Sequence, residues 1–230
     1  MLEYLNGLDT KATLLINGSD SVFMDNLMVC VTNTFSWSLV MLMLLVVIFR
    51  NNDLRNGLII LVTIGLMIFV ADRLCSGLVK PMVGRLRPTQ NPEIMYLVDV
   101  VNNYRGGRFG FFSGHACNTF CMAMFLSRLF HHRSVTFTLF FWSTTTTFTR
   151  LYLGVHFLGD VLVGLFVGCL IGWLFYFIYN KLMSKLSTSR LVSDQFTPTG
   201  YSKKDMYQLL TVIFANYILV LVFSMMLGVG

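Results

Sequence analysis

Three side chains that could do chemistry stand close together in a strongly apolar chain. They lie in the stretch Thr149-Arg150-Leu151-Tyr152-Leu153-Gly154-Val155-His156-Phe157-Leu158-Gly159-Asp160. If the chain is helical from Phe157 onward, His156 and Asp160 are four residues apart and share a face. At that spacing a carboxylate can hold one imidazole nitrogen and leave the other free to react. Arg150 precedes His156 by six residues and is off that face, so a turn must bring it back, and Gly154 permits one. The bland alternative is a short polar loop between two membrane helices.

Two further clusters sharpen the picture. In Lys80-Pro81-Met82-Val83-Gly84-Arg85-Leu86-Arg87-Pro88, Lys80 and Arg87 are seven residues apart. In a helix that is about two turns, so both would point the same way. Pro81 suits a helix start and Pro88 a helix stop. In Phe112-Ser113-Gly114-His115 a polar run opens an apolar segment, and a helix N-terminus there would attract an anion. A lysine, two arginines, a serine and a helix N-terminus together describe a pocket for a doubly charged tetrahedral anion, since arginine matches paired phosphate oxygens. The two histidines have complementary uses: one can attack phosphorus, and the other can protonate the departing oxygen. No acidic cluster suggests a metal site, which leaves the cations to neutralise the transferring group.

These residues must be positioned by membrane helices. Only 12% of the 230 residues are charged and 55% are hydrophobic, with a mean hydropathy of +0.68. A soluble domain carries about twice that charge. Residues 27–49, 161–180 and 206–230 hold no charge at all, and each is long enough to cross a bilayer. The expected architecture is all-α: one transmembrane domain, residues 1–230, forming a bundle of six helices. The spans fall near 27–49, 57–79, 111–130, 134–149, 159–179 and 206–230. Residues 1–26 would lie at the membrane interface, and 181–205 would be a polar linker. Asp72 and Arg73, late in the second span, should face protein or water, either as a mutual pair or beneath the site. Gly164, Gly168 and Gly172 let the fifth span pack closely against another helix. Trp173 and Tyr179 suit an interfacial belt. Basic residues in the 50–56 turn, the 128–133 turn and the 181–205 linker make that side cytoplasmic, so the three polar clusters face outward. The net charge of +6 is explained by topology and site chemistry and does not imply nucleic acid. The five cysteines all fall in apolar segments and read as small buried hydrophobes. Asn17-Gly18-Ser19 fits a glycosylation acceptor, a pattern short enough to arise by chance.

The three blocks, in order and spacing, resemble the signature of the type 2 phosphatidic acid phosphatase (PAP2) family, in its bacterial form. These membrane-bound lipid phosphatases are related to vanadium haloperoxidases. The family pattern is Lys, six residues, Arg-Pro; then Pro-Ser-Gly-His; then Ser-Arg, five residues, His, three residues, Asp. Lys80, Arg87 and Pro88 match the first block, Ser113, Gly114 and His115 the second, and Arg150, His156 and Asp160 the third. Phe112 replaces the family's Pro and Thr149 its Ser, but no charged or titrating member is missing. The resemblance spans residues 80–160. It implies that His156 is the nucleophile, forming a phosphohistidine, and that Asp160 orients it. His115 would protonate the leaving group and then help activate water. Lys80, Arg87, Arg150, Ser113 and the Gly114 backbone would bind phosphate, with no cofactor and no metal.

The same resemblance implies an integral protein of the bacterial inner membrane, with its site toward the periplasm. The substrate would be a lipid phosphate: lipid A or undecaprenyl pyrophosphate lead, with phosphatidylglycerophosphate as the alternative. Arg105 and Arg108, beside Gly106 and Gly107, are candidate contacts to a second phosphate or head group, or to anionic membrane lipids. Other classes remain open. A transporter would place charges or broken helices near the midplane. An inactive binding protein could use the same pocket. A vanadate-dependent peroxidase would have soluble relatives.

Overall fold

Four helical stretches among the described residues are long and apolar enough to cross a membrane: Thr34–Asn51, Leu54–Val83, Leu158–Met183 and Lys203–Leu227. They belong to an all-helical fold, seen in a computed structural model that describes residues 2–184 and 194–227. The helices are α1 (Leu2–Ile16), α2 (Val22–Thr32), α3 (Ser38–Asn51), α4 (Leu54–Asp72), a short α5 (Lys80–Val83), α6 (Gly114–Phe130), α7 (Arg133–Tyr152), α8 (Leu158–Ser184) and α9 (Lys203–Leu227). A π-helical turn, Arg73–Val79, joins α4 to α5 without a break. Among the described residues the extended pairing is limited to isolated bridges, Leu86 with Phe109 and Phe196 with Ser202.

The site depends on the parallel packing of α6 against α8. The expected close packing at Gly164, Gly168 and Gly172 is present. A Cβ on these residues would lie 2.6, 2.3 and 2.4 Å from the carbonyl oxygens of Ser113, Cys117 and Cys121 respectively. Backbones this close require hydrogen in place of a side chain. Around this pair, α4 and α7 bring their C-terminal ends, and α6 and α8 their N-terminal ends, to one end of the bundle. The opposite end is tied by Arg50, whose guanidinium lies 3.2 Å from the buried Asp205 carboxylate, and by Asn51, which donates to Asp205 at 2.8 Å. Between the two ends, Trp37, Leu44, Ile60, Met67, Phe125, Leu126, Leu209 and Ile213 are part of one apolar core.

Several expectations are corrected. The first span is not one helix. Asn33 accepts from the Phe35 amide, which stops α2 and starts a 3-10 turn, Thr34–Trp37, before α3. The fourth span is longer than 134–149, because α7 runs to Tyr152 and so holds Arg150 inside a helix. Lys80 and Arg87 do not share a helix. Gly84 adopts φ +63 and ends α5, and Arg87 is extended. Asp72 and Arg73 do not pair and are exposed: Asp72 accepts from Ser76 and Arg73 lies over Phe69. They are 18 and 19 residues beyond Leu54, about 27 Å at 1.5 Å per residue, so this face nears the end of the apolar layer. Trp173 is exposed, but Tyr179 is buried against Phe125. Asn17 is committed internally, donating to the carbonyls of Asp99 and Tyr152. Of the expected 181–205 linker, residues 185–193 lie outside the described residues, as do the last three of the sixth span.

Candidate active site

Asp160 is the buried centre of the arrangement. It sits in the first turn of α8, fully shielded, and its Oδ2 accepts the Phe157 amide at 3.1 Å. The same oxygen lies 3.4 Å from His156 Nδ1, which makes no hydrogen bond. A small realignment of the ring would complete that hydrogen bond, since catalytic hydrogen bonds often tighten only when substrate binds. His156 itself precedes α8 rather than lying in it. The turn that returns it from α7 uses Gly154 at φ +63, and the Val155 amide closes onto the Arg150 carbonyl at 3.2 Å.

The two blocks before the third are tied to it through backbone. Ser113 donates its amide to the Asp160 carbonyl at 2.9 Å, and its hydroxyl caps α6 by accepting from the Ala116 amide at 3.4 Å. His115 then emerges exposed from the first turn of α6. Lys80 reaches the same helix start, its Nζ 3.9 Å from where a Cβ of Gly114 would stand. Arg87 returns on the loop after α5. Its amide donates to the Arg108 carbonyl, and its side chain donates from Nε to Phe109 and from Nη1 to the Val155 carbonyl, both at 3.2 Å. These bonds use two of five guanidinium donors and aim the fork beside His156. Gly110 is required here, since a Cβ would sit 2.7 Å from Asp160 Oδ2.

Arg150 is 1% exposed, an unusual position for a cation. Nη1 donates to Thr32 at 2.7 Å and Nη2 to the Tyr104 hydroxyl at 3.0 Å, while Nε has no partner. A buried guanidinium with an unused donor is suited to accepting an anion. The electrostatics show the crowding. Burial and then the charges of Arg87, Arg150 and Lys80 hold the His156 imidazole well below its ordinary value of 6.5. Burial and Arg150 lower Arg87. Burial pushes the Tyr104 phenol up, but the charge and hydrogen bond of Arg150 outweigh it, so the phenol falls below its usual value. His115 stands close enough to Arg150, His156, Arg87 and Lys80 to interact with them electrostatically. The structure thus brings Lys80, Arg87, Ser113, Gly114, His115, Arg150, His156 and Asp160 to one end of the bundle. Among the described residues no group of three His, Cys, Asp or Glu side chains is arranged to hold a metal.

Arg105 and Arg108 stand outside this centre. Both are exposed, Arg105 donating to the Thr89 carbonyl at 3.2 Å and Arg108 lying 5.4 Å from the Phe109 ring centre. Four residues of the site were not singled out from sequence: Arg85, Asp9, Tyr104 and Thr32. Arg85 bridges Asp160 at 2.8 Å and Asp9 at 2.7 Å, and stacks 4.1 Å from the Phe157 ring. Asp9 also accepts the Gly159 amide at 2.8 Å, so α1 caps α8. Arg85 carried a signal in its place between Lys80 and Arg87. Asp9 carried none, because its partners are distant in the chain.

Comparison with known proteins agrees with this layout. The PAP2 superfamily profile matches residues 56–184. The chain is 42% identical over 200 residues to a lipid A 4'-phosphatase of Bacteroides thetaiotaomicron, covering 86% of each chain. It is 30% identical over 184 residues to a lipid A 4'-phosphatase of Porphyromonas gingivalis, covering 80% of this chain and 78% of the relative. Its fold resembles the crystal structure of a transmembrane PAP2-type phosphatidylglycerolphosphate phosphatase from Bacillus subtilis. The TM-score is 0.56 at 22% identity, over 82% of this chain and 89% of that one.

Proposed function

This chain belongs to the PAP2 superfamily and is a membrane lipid phosphatase of bacterial type, and from that premise we propose that it removes the 4'-phosphate of lipid A through a phosphohistidine. The observation that carries the mechanism is the His156–Asp160 pair set among Lys80, Arg87 and Arg150. An imidazole kept neutral by that field is a competent nucleophile. With Nδ1 turned to Asp160, Nε2 is the free nitrogen. Nε2 attacks phosphorus, the bond to the sugar oxygen breaks, and His115 supplies the proton that oxygen needs. Water then attacks phosphorus, His115 takes its proton, the P–N bond breaks and inorganic phosphate leaves. Asp160 stabilises the imidazolium formed between the steps. The three cations and the start of α6 stabilise the equatorial oxygens, which is where phosphoryl transfer gains most.

In the membrane, α6 and α7 join the four apolar stretches to give six crossings. The 17 residues of α6 span only about 25 Å, but α4, α7 and α8 surround it. The site then faces the periplasm, and the end holding Arg50 and Asp205 faces the cytoplasm.

The test is phosphate release by purified protein from lipid A, undecaprenyl pyrophosphate and phosphatidylglycerophosphate, with and without chelator. Lipid A should lose its 4'-phosphate, chelator should have no effect, and His156→Ala should abolish turnover. Turnover surviving in His156→Ala excludes the phosphohistidine. Preference for another lipid overturns the substrate assignment alone.

A further inference from the structure

His115 stands at the edge of a cavity of about 380 Å³ that runs into the bundle between α3, α4, α6 and α7. On α6 it is lined by His115, Asn118, Thr119 and Met122, spaced as one helix face, and on α7 by Trp142 and Thr146, one turn apart. The depth from His115 to Met122 is about 10 Å. Three of these residues share an unusual property. Asn118 Oδ1, Trp142 Nε1 and Thr146 Oγ1 are shielded from solvent yet have no hydrogen-bond partner in the protein.

Most of their neighbours are paired, although the hydroxyl of Thr147, outside the cavity, is likewise without a partner. Ser143, Thr144, Thr145 and Thr149 on the same helix each donate to a backbone carbonyl of the preceding turn. Thr119, in the same cavity wall, donates to the His115 carbonyl at 2.8 Å. The adjoining Trp37 donates its ring N–H to the Val31 carbonyl at 2.9 Å. Thr146, only 4% exposed, could satisfy its hydroxyl in the same way and does not. A buried polar atom left unpaired keeps its full desolvation penalty. All three belong to residues that line one cavity, and a polar partner entering it would satisfy them once their side chains turn toward the space.

We propose that this cavity binds the leaving-group side of the substrate and selects one that carries hydroxyl or amide groups near the phosphate ester. The inference rests on His115 being the acid that meets the leaving oxygen, as assigned above. Trp142 can only donate, the Asn118 oxygen can only accept, and Thr146 can do either. Acylated sugar presents both kinds of group, whereas a polyprenyl chain presents neither. Trp37, Met41 and Met122 supply apolar wall for the first part of an acyl chain. A site built to hydrogen-bond a substrate rejects the analogue lacking those groups, because its own buried groups are then left unpaired.

The experiment compares kcat/KM for lipid A, phosphatidylglycerophosphate and undecaprenyl phosphate in the wild type, Thr146→Val, Thr146→Ser and Trp142→Phe. The first two substrates have hydroxyl-bearing leaving groups; the third does not. The ratio of lipid A to undecaprenyl phosphate turnover should fall roughly tenfold in Thr146→Val and in Trp142→Phe. Thr146→Ser, which keeps the hydroxyl, should retain the wild-type ratio. If Thr146→Val fails to fold, Trp142→Phe decides the matter. Ratios unmoved in the variants overturn the proposal. If the wild type does not act on lipid A, the substrate assignment fails by itself, and the same ratio taken with phosphatidylglycerophosphate judges the cavity. Absence of turnover on all three overturns both.

Discussion

Arg85 Nη1 donates to Asp160 Oδ1 at 2.8 Å while Asp160 Oδ2 faces His156, so one buried carboxylate is shared between a fixed cation and an imidazole. The second nitrogen of that guanidinium is held by Asp9 at 2.7 Å, and Asp9 also caps α8. Arg85 is therefore a positioning residue that acts on His156 through Asp160. Arg85→Gln should lower kcat about 10–100-fold, as loss of an orienting partner does elsewhere. Removing this positive charge also raises the proton affinity of the His156–Asp160 pair, whichever member takes the proton. The acidic limb of kcat/KM should thus move to higher pH in Arg85→Gln and stay in place in Arg85→Lys. A loss of rate with an unmoved limb in Arg85→Gln would reduce Arg85 to a structural tie.

The wild-type pH profile follows from the direction in which His156 is held. Burial and the charges of Arg87, Arg150 and Lys80 depress its pKa below 6.5, so the neutral imidazole is the stable form in the folded protein. As pH falls through the depressed value, the nitrogen gains a proton and the nucleophile is lost. The acidic limb of kcat/KM should accordingly have its midpoint below 6.5. The sign for stability is the same. The contribution is present above the unfolded value near 6.5 and is lost as pH falls. Phosphate release measured between pH 4 and 9 checks the limb, and a midpoint above 6.5 contradicts the assignment.

Packing of α6 on α8 should be intolerant of a single methyl group. At Gly168 a Cβ would stand 2.3 Å from the Cys117 carbonyl oxygen, and backbone cannot yield as a side chain can. Gly168→Ala should cost about 1–3 kcal/mol and lower activity, since α6 carries Ser113 and His115. Gly65, in α4, has nothing within 4 Å of the same position. Gly65→Ala should be neutral or stabilising by about 0.5–1 kcal/mol. Thermal unfolding in detergent separates the two, and equal melting temperatures would refute the packing argument.

Arg105 and Arg108 are exposed, and Arg108 has the freer guanidinium, because Arg105 is tied to the Thr89 carbonyl. If Arg108 meets a second phosphate, Arg108→Ala should lower turnover of a diphosphorylated lipid more than that of its monophosphate, by about tenfold at low salt. Arg105→Ala should have the smaller effect. Equal losses on both lipids in Arg108→Ala would count against a second-phosphate contact.

At the opposite end, Asp205 is 3% exposed and held by Arg50 and Asn51. Asp205→Ala strands those partners and breaks the link between α3 and α9. It should destabilise the fold by about 1–3 kcal/mol while leaving KM unchanged, because the carboxylate lies at the far end from His156. A raised KM with unaltered melting would contradict that separation.

Much of this molecule was legible in one dimension because its strongest constraints are local. A bilayer demands long uncharged helices, and the glycine stripe at 164, 168 and 172 repeats with the helix period, so both show in a linear reading. The spacing of His156 and Asp160 and the polar start of α6 at Ser113 are likewise contained within single turns. What could not be read was geometry that depends on distant partners or on backbone that leaves the helix. Arg87 was expected on a helix with Lys80, but Gly84 ends α5 and pairing with the segment near Phe109 carries Arg87 to Val155 instead. The break at Asn33 and the length of α7 shifted where Thr32 and Arg150 meet.

Residue type and period are local properties, so a linear reading is enough for an all-helical membrane protein and for the expectation that its cations and two histidines form a phosphate site. The folded chain was needed to see that Asp9 and Arg85 secure Asp160, that Tyr104 and Thr32 hold Arg150, and that Asn118, Trp142 and Thr146 line one cavity beside His115. Those relations join residues from different helices and loops, and their distances are set by how the helices pack, which no spacing along the chain encodes.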